Sequence, residues 1–230
     1  MSTDTDSRFD DALTTALAAM KIELADARRS QLLRHYQLVL DTNRKFNLTR
    51  ITEPDDFAVT LHADSLAIVA WARDGHHEVE RILDIGTGAG LPAVPLAVAH
   101  PDWHVTAIDG TGKKARFVKD IAGELKLGNL EVRHERAESL RDRKKFDVVA
   151  MKAIGPLERC MRFAAPHVTR GGWVVMYKTI DVTDVERVDG LAEATERGFD
   201  MTSVYEYELR LRDVTLRRAL WVYRLPVSGH

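Results

Sequence analysis

The stretch Ile82-Leu83-Asp84-Ile85-Gly86-Thr87-Gly88-Ala89-Gly90-Leu91 limits what this chain can fold into more than any other. A short apolar run carrying one acid breaks into glycines on alternate positions, and Pro92 then opens a segment of helical character. Strand, tight turn and helix N-terminus in that order offer bare backbone to a ligand at the carboxyl end of the strand. The pattern continues downstream. Strand-like segments at 82–85, 104–109, 130–133, 146–151 and 173–177 alternate with helical ones at 92–99, 113–125, near 137–140 and at 156–168. Short apolar strands separated by helices predict an α/β fold, a Rossmann-like, mostly parallel sheet covered on both faces. A further helix starting near Thr183 leads into 203–209 and 218–224, rich in Tyr, Val and Trp, which suit a C-terminal antiparallel pairing.

Ahead of this unit, Phe9, Leu13, Leu17, Met20 and Leu24 recur at helical spacing, as do Leu32, Leu33, Tyr36, Val39 and Leu40. Two amphipathic helices therefore open the chain. The polar run Asn43-Arg44-Lys45-Phe46-Asn47-Leu48-Thr49 has turn and cap chemistry. Pro54 starts a short helix and another runs from about His62 to Trp71. The polar Asp74-Gly75-His76-His77 sets the expected boundary between an N-terminal helical subdomain, residues 1–75 with 1–7 disordered, and a main domain, residues 76–230, that carries the glycine loop.

A chain of 230 residues with a net charge of −2 lacks the basic excess of a stand-alone, tight nucleic-acid binder, although a local basic face remains open. Cys160 is the only cysteine, so neither a disulfide framework nor a Cys-rich metal site is available. The N-terminus is polar and acidic, and no apolar run is long enough to span a bilayer. These features predict a cytoplasmic protein without a metal, expected to act as a monomer.

The glycine spacing narrows the ligand. A dinucleotide fingerprint needs its third glycine where Leu91 stands, and no Lys-Ser or Lys-Thr pair follows the loop as a P-loop requires. Asp109 closes the second strand, where a carboxylate accepts hydrogen bonds from ribose hydroxyls. A nucleoside cofactor with an amino-acid tail and no phosphate, S-adenosylmethionine, fits this combination best. Gly86, Gly88 and Gly90 would hold its methionine end. The loop after the fourth strand, Met151-Lys152-Ala153-Ile154-Gly155-Pro156, lacks both the Asn or Asp with two prolines that grips an exocyclic amine and a Pro-Cys nucleophile. An acceptor with a free lone pair, such as guanine N7, needs neither device and no general base, only alignment with the methyl group.

Taken together, Asn43…Asn47-Leu48-Thr49, Asp64-Ser65-Leu66, the glycine loop through Leu91-Pro92, Asp109…Lys113-Lys114…Phe117, Arg136-Ala137-Glu138 and Phe146-Asp147-Val148-Val149 resemble the RsmG (GidB) family. That family methylates guanine N7 in the 16S rRNA of the small ribosomal subunit with S-adenosylmethionine. The resemblance implies a class I methyltransferase fold and a cofactor held against Gly86, Leu91, Ala137 and Glu138. It also implies a cation at position 152 serving cofactor and substrate, here Lys152, expected to be catalytic. Asn43, Asn47, Asp64 and Ser65 fall in the substrate half of the pattern, and Lys113 and Lys114 are placed to meet RNA phosphates.

Departures from the family gather in that half. Lys152 stands where an arginine is usual, and Thr60-Leu61 where Arg-His precedes Asp-Ser, with His62 one place late. Lysine keeps the charge and loses the planar fork. Two further readings stay open on sequence: a methyltransferase of the same fold with another acceptor, and a non-catalytic RNA- or ribosome-binding module.

Overall fold

A computed structural model describes residues 3–141 and 145–227. Met1 and Ser2, within the expected disordered segment, and the terminal His230 lie outside the described residues. The order of elements is α1 (Thr3–Ala19), α2 (Asp26–Asn43), α3 (Pro54–Phe57), a π-helical segment (Ala58–Ala63), α4 (Ala67–Asp74), β1 (Arg81–Ile85), α5 (Ala93–Ala99), β2 (His104–Asp109), α6 (Gly112–Glu124) and β3 (Leu130–His134). After a short 3-10 turn (Ala137–Ser139) come β4 (Phe146–Lys152), α7 (Leu157–Ala164), β5 (Val168–Thr179), α8 (Asp184–Glu196), β6 (Asp200–Leu211) and β7 (Val214–Arg224).

The strands form one seven-stranded sheet in the order β3-β2-β1-β4-β5-β7-β6. The first five run parallel; β7 is antiparallel to β5 and β6 is antiparallel to β7. The expected C-terminal antiparallel pairing is a hairpin of two long strands, β6 and β7. Strand order reverses at β1 and β4, and ligands bind beyond the carboxyl ends at such a switch point.

Period-two alternation sorts the side chains of each strand to two cores. Ile82, Val148, Ala150, Val175, Leu220 and Val222 face one hydrophobic cluster, and Leu83, Ile85, Val149, Val174, Met176 and Trp221 face the other. The second cluster is completed by Leu157, Cys160 and Met161 of α7 and Ala194 of α8, which makes Cys160 a packing residue.

The first cluster has no seam between the N-terminal helices and the sheet. It runs from Phe9, Leu13 and Leu32 through Phe57, Leu66 and Ile68 to the strands. Gln31 Nε2 donates to the Leu125 carbonyl at 2.9 Å, and Tyr205 Oη donates to Asp74 at 2.7 Å, so hydrogen bonds cross the expected boundary as well.

Thr3–Ser7 are helical, contrary to the expected disorder. Phe9 and Leu13 are fully buried, a gain of about 1.5–3 kcal/mol for each side chain, and they hold the helix down just beyond its first turns. Asp4 and Asp6 in the first turn suit the helix dipole, and Gln37 Nε2 donates to Asp6 at 3.2 Å.

Candidate active site

At the carboxyl end of β1 the chain turns through Gly86, Gly88 and Gly90 with φ of 76°, 58° and 90°. L side chains rarely adopt these angles, which is the first reason for glycine here. Space is the second. A Cβ on Gly86 would lie 2.4 Å from Ile154 Cδ1, and one on Gly90 would lie 2.7 Å from Val94 Cγ2.

The loop's N–H groups are not the bare donors its sequence suggests. Those of Gly86 and Thr87 donate to the Ile108 carbonyl at 2.8 and 3.0 Å, and those of Gly90 and Leu91 to the Thr87 carbonyl at 2.8 Å. The Gly88 N–H donates to Asp109 Oδ2 at 3.0 Å. Internal bonding takes up the N–H groups of Gly86, Thr87, Gly88, Gly90 and Leu91, so what the turn chiefly presents to a ligand is close approach and carbonyl oxygen.

Asp109 is nearly buried at the end of β2. Its Oδ1 accepts from the Thr111 N–H at 2.7 Å and its Oδ2 from Gly88. A carboxylate has about four acceptor positions, so each oxygen keeps capacity for one more donor, as a ribose diol requires. Asp109 lines a cleft of about 200 Å³ with Gly86, Gly110, Ala137, Glu138 and Ile154. Ala137 and Glu138 open a 3-10 turn, and the first N–H groups of a turn have no partner within it. The Ala137 carbonyl is held by His167 Nε2 at 2.9 Å.

Asp84 sits fully buried in β1, below the loop. Its Oδ2 accepts from the Ala93 N–H at 3.3 Å, which ties the start of α5 to the strand. Burial pushes its carboxyl up to about 8, with the Asp109 charge in the same direction and Thr87 and the Ala93 N–H opposing. Asp84 Oδ1 and Thr87 Oγ1 are buried without a hydrogen-bond partner of good geometry. A turn where a Cβ would clash, beside the Asp109 carboxylate with spare acceptor capacity, fits a small ligand bearing hydroxyls.

A second cluster forms at the end of β4. Lys152 Nζ pairs with Asp64 Oδ2 and lies 5.2 Å from the Tyr177 ring centroid. Tyr207 Oη donates to Asp64 Oδ1 at 2.7 Å, and Tyr177 Oη donates to the Ser65 carbonyl at 2.6 Å. The ion pair is well shielded, with the Lys152 side chain 13% exposed and that of Asp64 5%. Burial, aided by the Arg218 guanidinium, pushes Lys152 down to about 7. The Asp64 carboxylate on its Nζ works the other way, toward the ammonium. Burial likewise raises the Tyr177 and Tyr207 hydroxyls well above the usual tyrosine range, so both remain donors.

The structure thus brings Asp64, Ser65 and Lys152 together, and places Gly86, Asp109, Ala137 and Glu138 around one cleft. Gly88, bonded to Asp109, and Gly90 and Leu91 belong to the same loop as Gly86, whereas Asn43, Asn47, Lys113 and Lys114 stand apart from both groups. Asn43 closes a turn: its Oδ1 accepts from the N–H groups of Leu48 and Thr49 at 2.7 and 3.1 Å, and its Nδ2 donates to the Thr49 carbonyl at 2.9 Å. Asn47 is exposed on that turn, and Lys113 and Lys114 lie on the first turn of α6, just after Asp109. Tyr177, Tyr207 and Arg218 have no signal in the sequence. The Tyr207–Asp64 contact spans 143 positions of chain, and only the register of β6 on β7 aims that hydroxyl. Among the described residues no group of three or more His, Cys, Asp or Glu is arranged to hold a metal.

Comparison with known proteins agrees with this geometry. A family model described as rRNA small subunit methyltransferase G matches residues 28–204. The ribosomal RNA small subunit methyltransferase G of Microcystis aeruginosa is 35% identical over 160 residues, covering 66% of this chain and 71% of that protein. Its counterpart from Solibacter usitatus is 35% identical over 184 residues, covering 80% and 85%. Among solved structures, magnesium protoporphyrin IX methyltransferase from Synechocystis with bound SAM is similar at a TM-score of 0.57 and 17% identity, over 87% of this chain and 98% of that one. An identity that low speaks to the fold alone, and it is the class I methyltransferase fold. With its glycine loop, Asp109 and Lys152 all inside the matched span, the chain belongs to the GidB family of rRNA small subunit methyltransferase G proteins.

Proposed function

We propose that this protein methylates N7 of a guanine in 16S rRNA of the small ribosomal subunit, with S-adenosylmethionine as the methyl donor. The observation that carries this reading is the cleft at the switch point of the sheet, where Asp109 keeps acceptor capacity beside Gly86, Ala137 and Glu138 within a chain of this family. When bound, S-adenosylmethionine supplies an activated methyl group on a sulfonium.

Asp109 takes the ribose hydroxyls, the Ala137–Glu138 turn meets the edge of the adenine, and the Gly86–Leu91 loop lies along the methionine end. Lys152 stands at the acceptor side. A guanine N7 carries a lone pair and no proton, so no residue here has to act as a base, and alignment is the main contribution of the protein. Lys152, kept in place by Asp64 and Tyr207, is suited to hold the guanine O6 or a nearby phosphate and so fix the ring. This role makes it the catalytic group in the positioning sense.

The exposed Lys113, the half-exposed Lys114, and Arg44, Lys45, Asn47 and Arg50 around the turn built by Asn43 supply contacts to the RNA backbone. Arg34 of α2 is instead engaged with Glu124 at 2.5 Å. No described helix is long and apolar enough to cross a membrane. A ribosomal substrate places the reaction in the cytoplasm, and the protein acts on it as a monomer.

Transfer of labelled methyl from S-adenosylmethionine to small subunits purified from cells lacking this protein tests the reading. Label at guanine N7 of 16S rRNA is the expected result. Good cofactor binding with label absent from rRNA would instead support a different acceptor for the same fold.

A further inference from the structure

A pair of histidines that plays no part in the readings above joins the N-terminal helices to the cofactor loop. His35 of α2 and His62 of the π-helical segment are both fully buried, with their rings stacked at a centroid distance of 5.0 Å. His35 Nε2 lies 2.8 Å from the Ala89 carbonyl of the glycine loop, and His35 Nδ1 lies 2.9 Å from His62 Nε2. His62 Nδ1 has no hydrogen-bond partner among the described residues.

The tautomers follow from the partners. Ala89 offers only an acceptor, so His35 Nε2 must carry the proton and donate. Burial pushes His35 down to about 4 and His62 well below its ordinary value, so neither ring has a second proton to give at neutral pH. His35 Nδ1 is then an acceptor, His62 Nε2 must donate to it, and the chain ends in a bare lone pair at His62 Nδ1. One proton arrangement satisfies every contact.

The geometry constrains the loop directly. A Cβ at Gly90 would lie 3.4 Å from His35 Nε2, so the imidazole stands against the turn itself. The other end of the pair sits two residues before Asp64, the carboxylate on Lys152. π-Helical segments recur at functional sites because the wider turn re-aims its side chains. Here it sends His62 toward the cofactor loop, through His35, and Asp64 toward Lys152.

We propose that His35 and His62 are positioning residues. They fix the Ala89 carbonyl, and with it the Gly88–Leu91 half of the loop, against the segment that carries Asp64. The N-terminal helices thereby set the affinity of the loop for S-adenosylmethionine. This inference rests on the cofactor reading given above.

Titration calorimetry with S-adenosylmethionine on the full chain tests it, using His35→Leu, which removes the donor to Ala89, and His35→Gln, whose amide N–H can replace it. The expected result is about tenfold weaker binding for H35L and binding within about threefold of wild type for H35Q, with both variants folded by circular dichroism. Equal affinities for H35L and wild type would overturn the proposal, as would equal losses in H35L and H35Q. Should H35L fail to fold, the histidine ring ¹⁵N resonances of the wild-type protein decide. Both rings must appear as neutral Nε2–H tautomers, and the His35 nitrogens must shift on adding S-adenosylmethionine. A different tautomer, or no shift on saturation, overturns the proposal. Wild-type protein that binds no S-adenosylmethionine removes the cofactor reading and this inference with it, whereas wild-type binding alongside unaffected H35L removes this inference alone.

Discussion

The two ends of the proposed active site are built in different ways. At the cofactor end, Gly86–Leu91 and Asp109 work mainly through backbone: loop N–H groups bond to Ile108, Thr87 and the Asp109 carboxylate, all at the ends of two neighbouring parallel strands. At the acceptor end, side chains converge from the helical segment (Asp64), β4 (Lys152), β5 (Tyr177) and β6 (Tyr207). A backbone-built site is fixed by the turn that makes it and tolerates little change. A side-chain-built site can be rewired by substitution while the fold stays intact. The departures expected from the family pattern, Lys152 for arginine and Thr60-Leu61 for Arg-His, both fall at this second end. Lys152 keeps its charge in place through Asp64 and Tyr207 rather than through a planar fork.

The largest expected effect tests whether the acceptor end is also a structural unit. Lys152→Met leaves the buried Asp64 carboxylate with no cation on it, and breaking a buried pair costs about 3–5 kcal/mol. Urea unfolding should show a loss of that size, with S-adenosylmethionine affinity within about threefold of wild type if the two ends are independent. Next comes the reverse experiment. Asp109→Ala removes charge-assisted hydrogen bonds worth roughly 1.5–3 kcal/mol each, so calorimetry should show S-adenosylmethionine binding weaker by about 100-fold. An unchanged affinity would mean that the ribose lies elsewhere.

Acid sharpens the comparison further. His35 stays neutral in the fold down to about 4, while in the unfolded chain it takes up a proton near 6.5. The unfolded state therefore binds more protons between those values, and stability falls as pH drops through that window, by about 2 kcal/mol at pH 5. Asp84, raised to about 8, acts in the opposite sense: its folded state binds more protons, so its contribution is lost as pH rises from about 4 to 8. The difference between the stability–pH curves of wild type and His35→Gln isolates the histidine contribution, and coincident slopes would refute it. The smallest effect belongs to Tyr207→Phe, which leaves one Asp64 oxygen without its donor for about 1.5 kcal/mol, measured by thermal or urea unfolding.

The alternation of strand and helix was legible from residue 81 onward because each short apolar run has one buried destination. Asp109 and the glycine loop were legible because their spacing is local: Asp109 ends a strand, and Gly86 and Gly90 need positive φ where the strand turns. The helical start at Thr3 was not legible. Its segment is polar, and what fixes it is Phe9 and Leu13 buried against helices far along the chain. The loop's internal hydrogen bonding was equally hidden, because a glycine pattern shows that the backbone is unobstructed and not where its N–H groups point.

By itself the sequence determined the parallel sheet, the position of the cofactor loop on it and the acid that closes the second strand, since periodicity and turn chemistry act over a few residues. Tertiary structure alone decided what surrounds Lys152 and what holds Ala89. Those contacts join Asp64 to Tyr207 and His35 to the glycine loop over 143 and 54 positions. Contacts of that range are set by strand order, register and helix packing, and no local spacing encodes them.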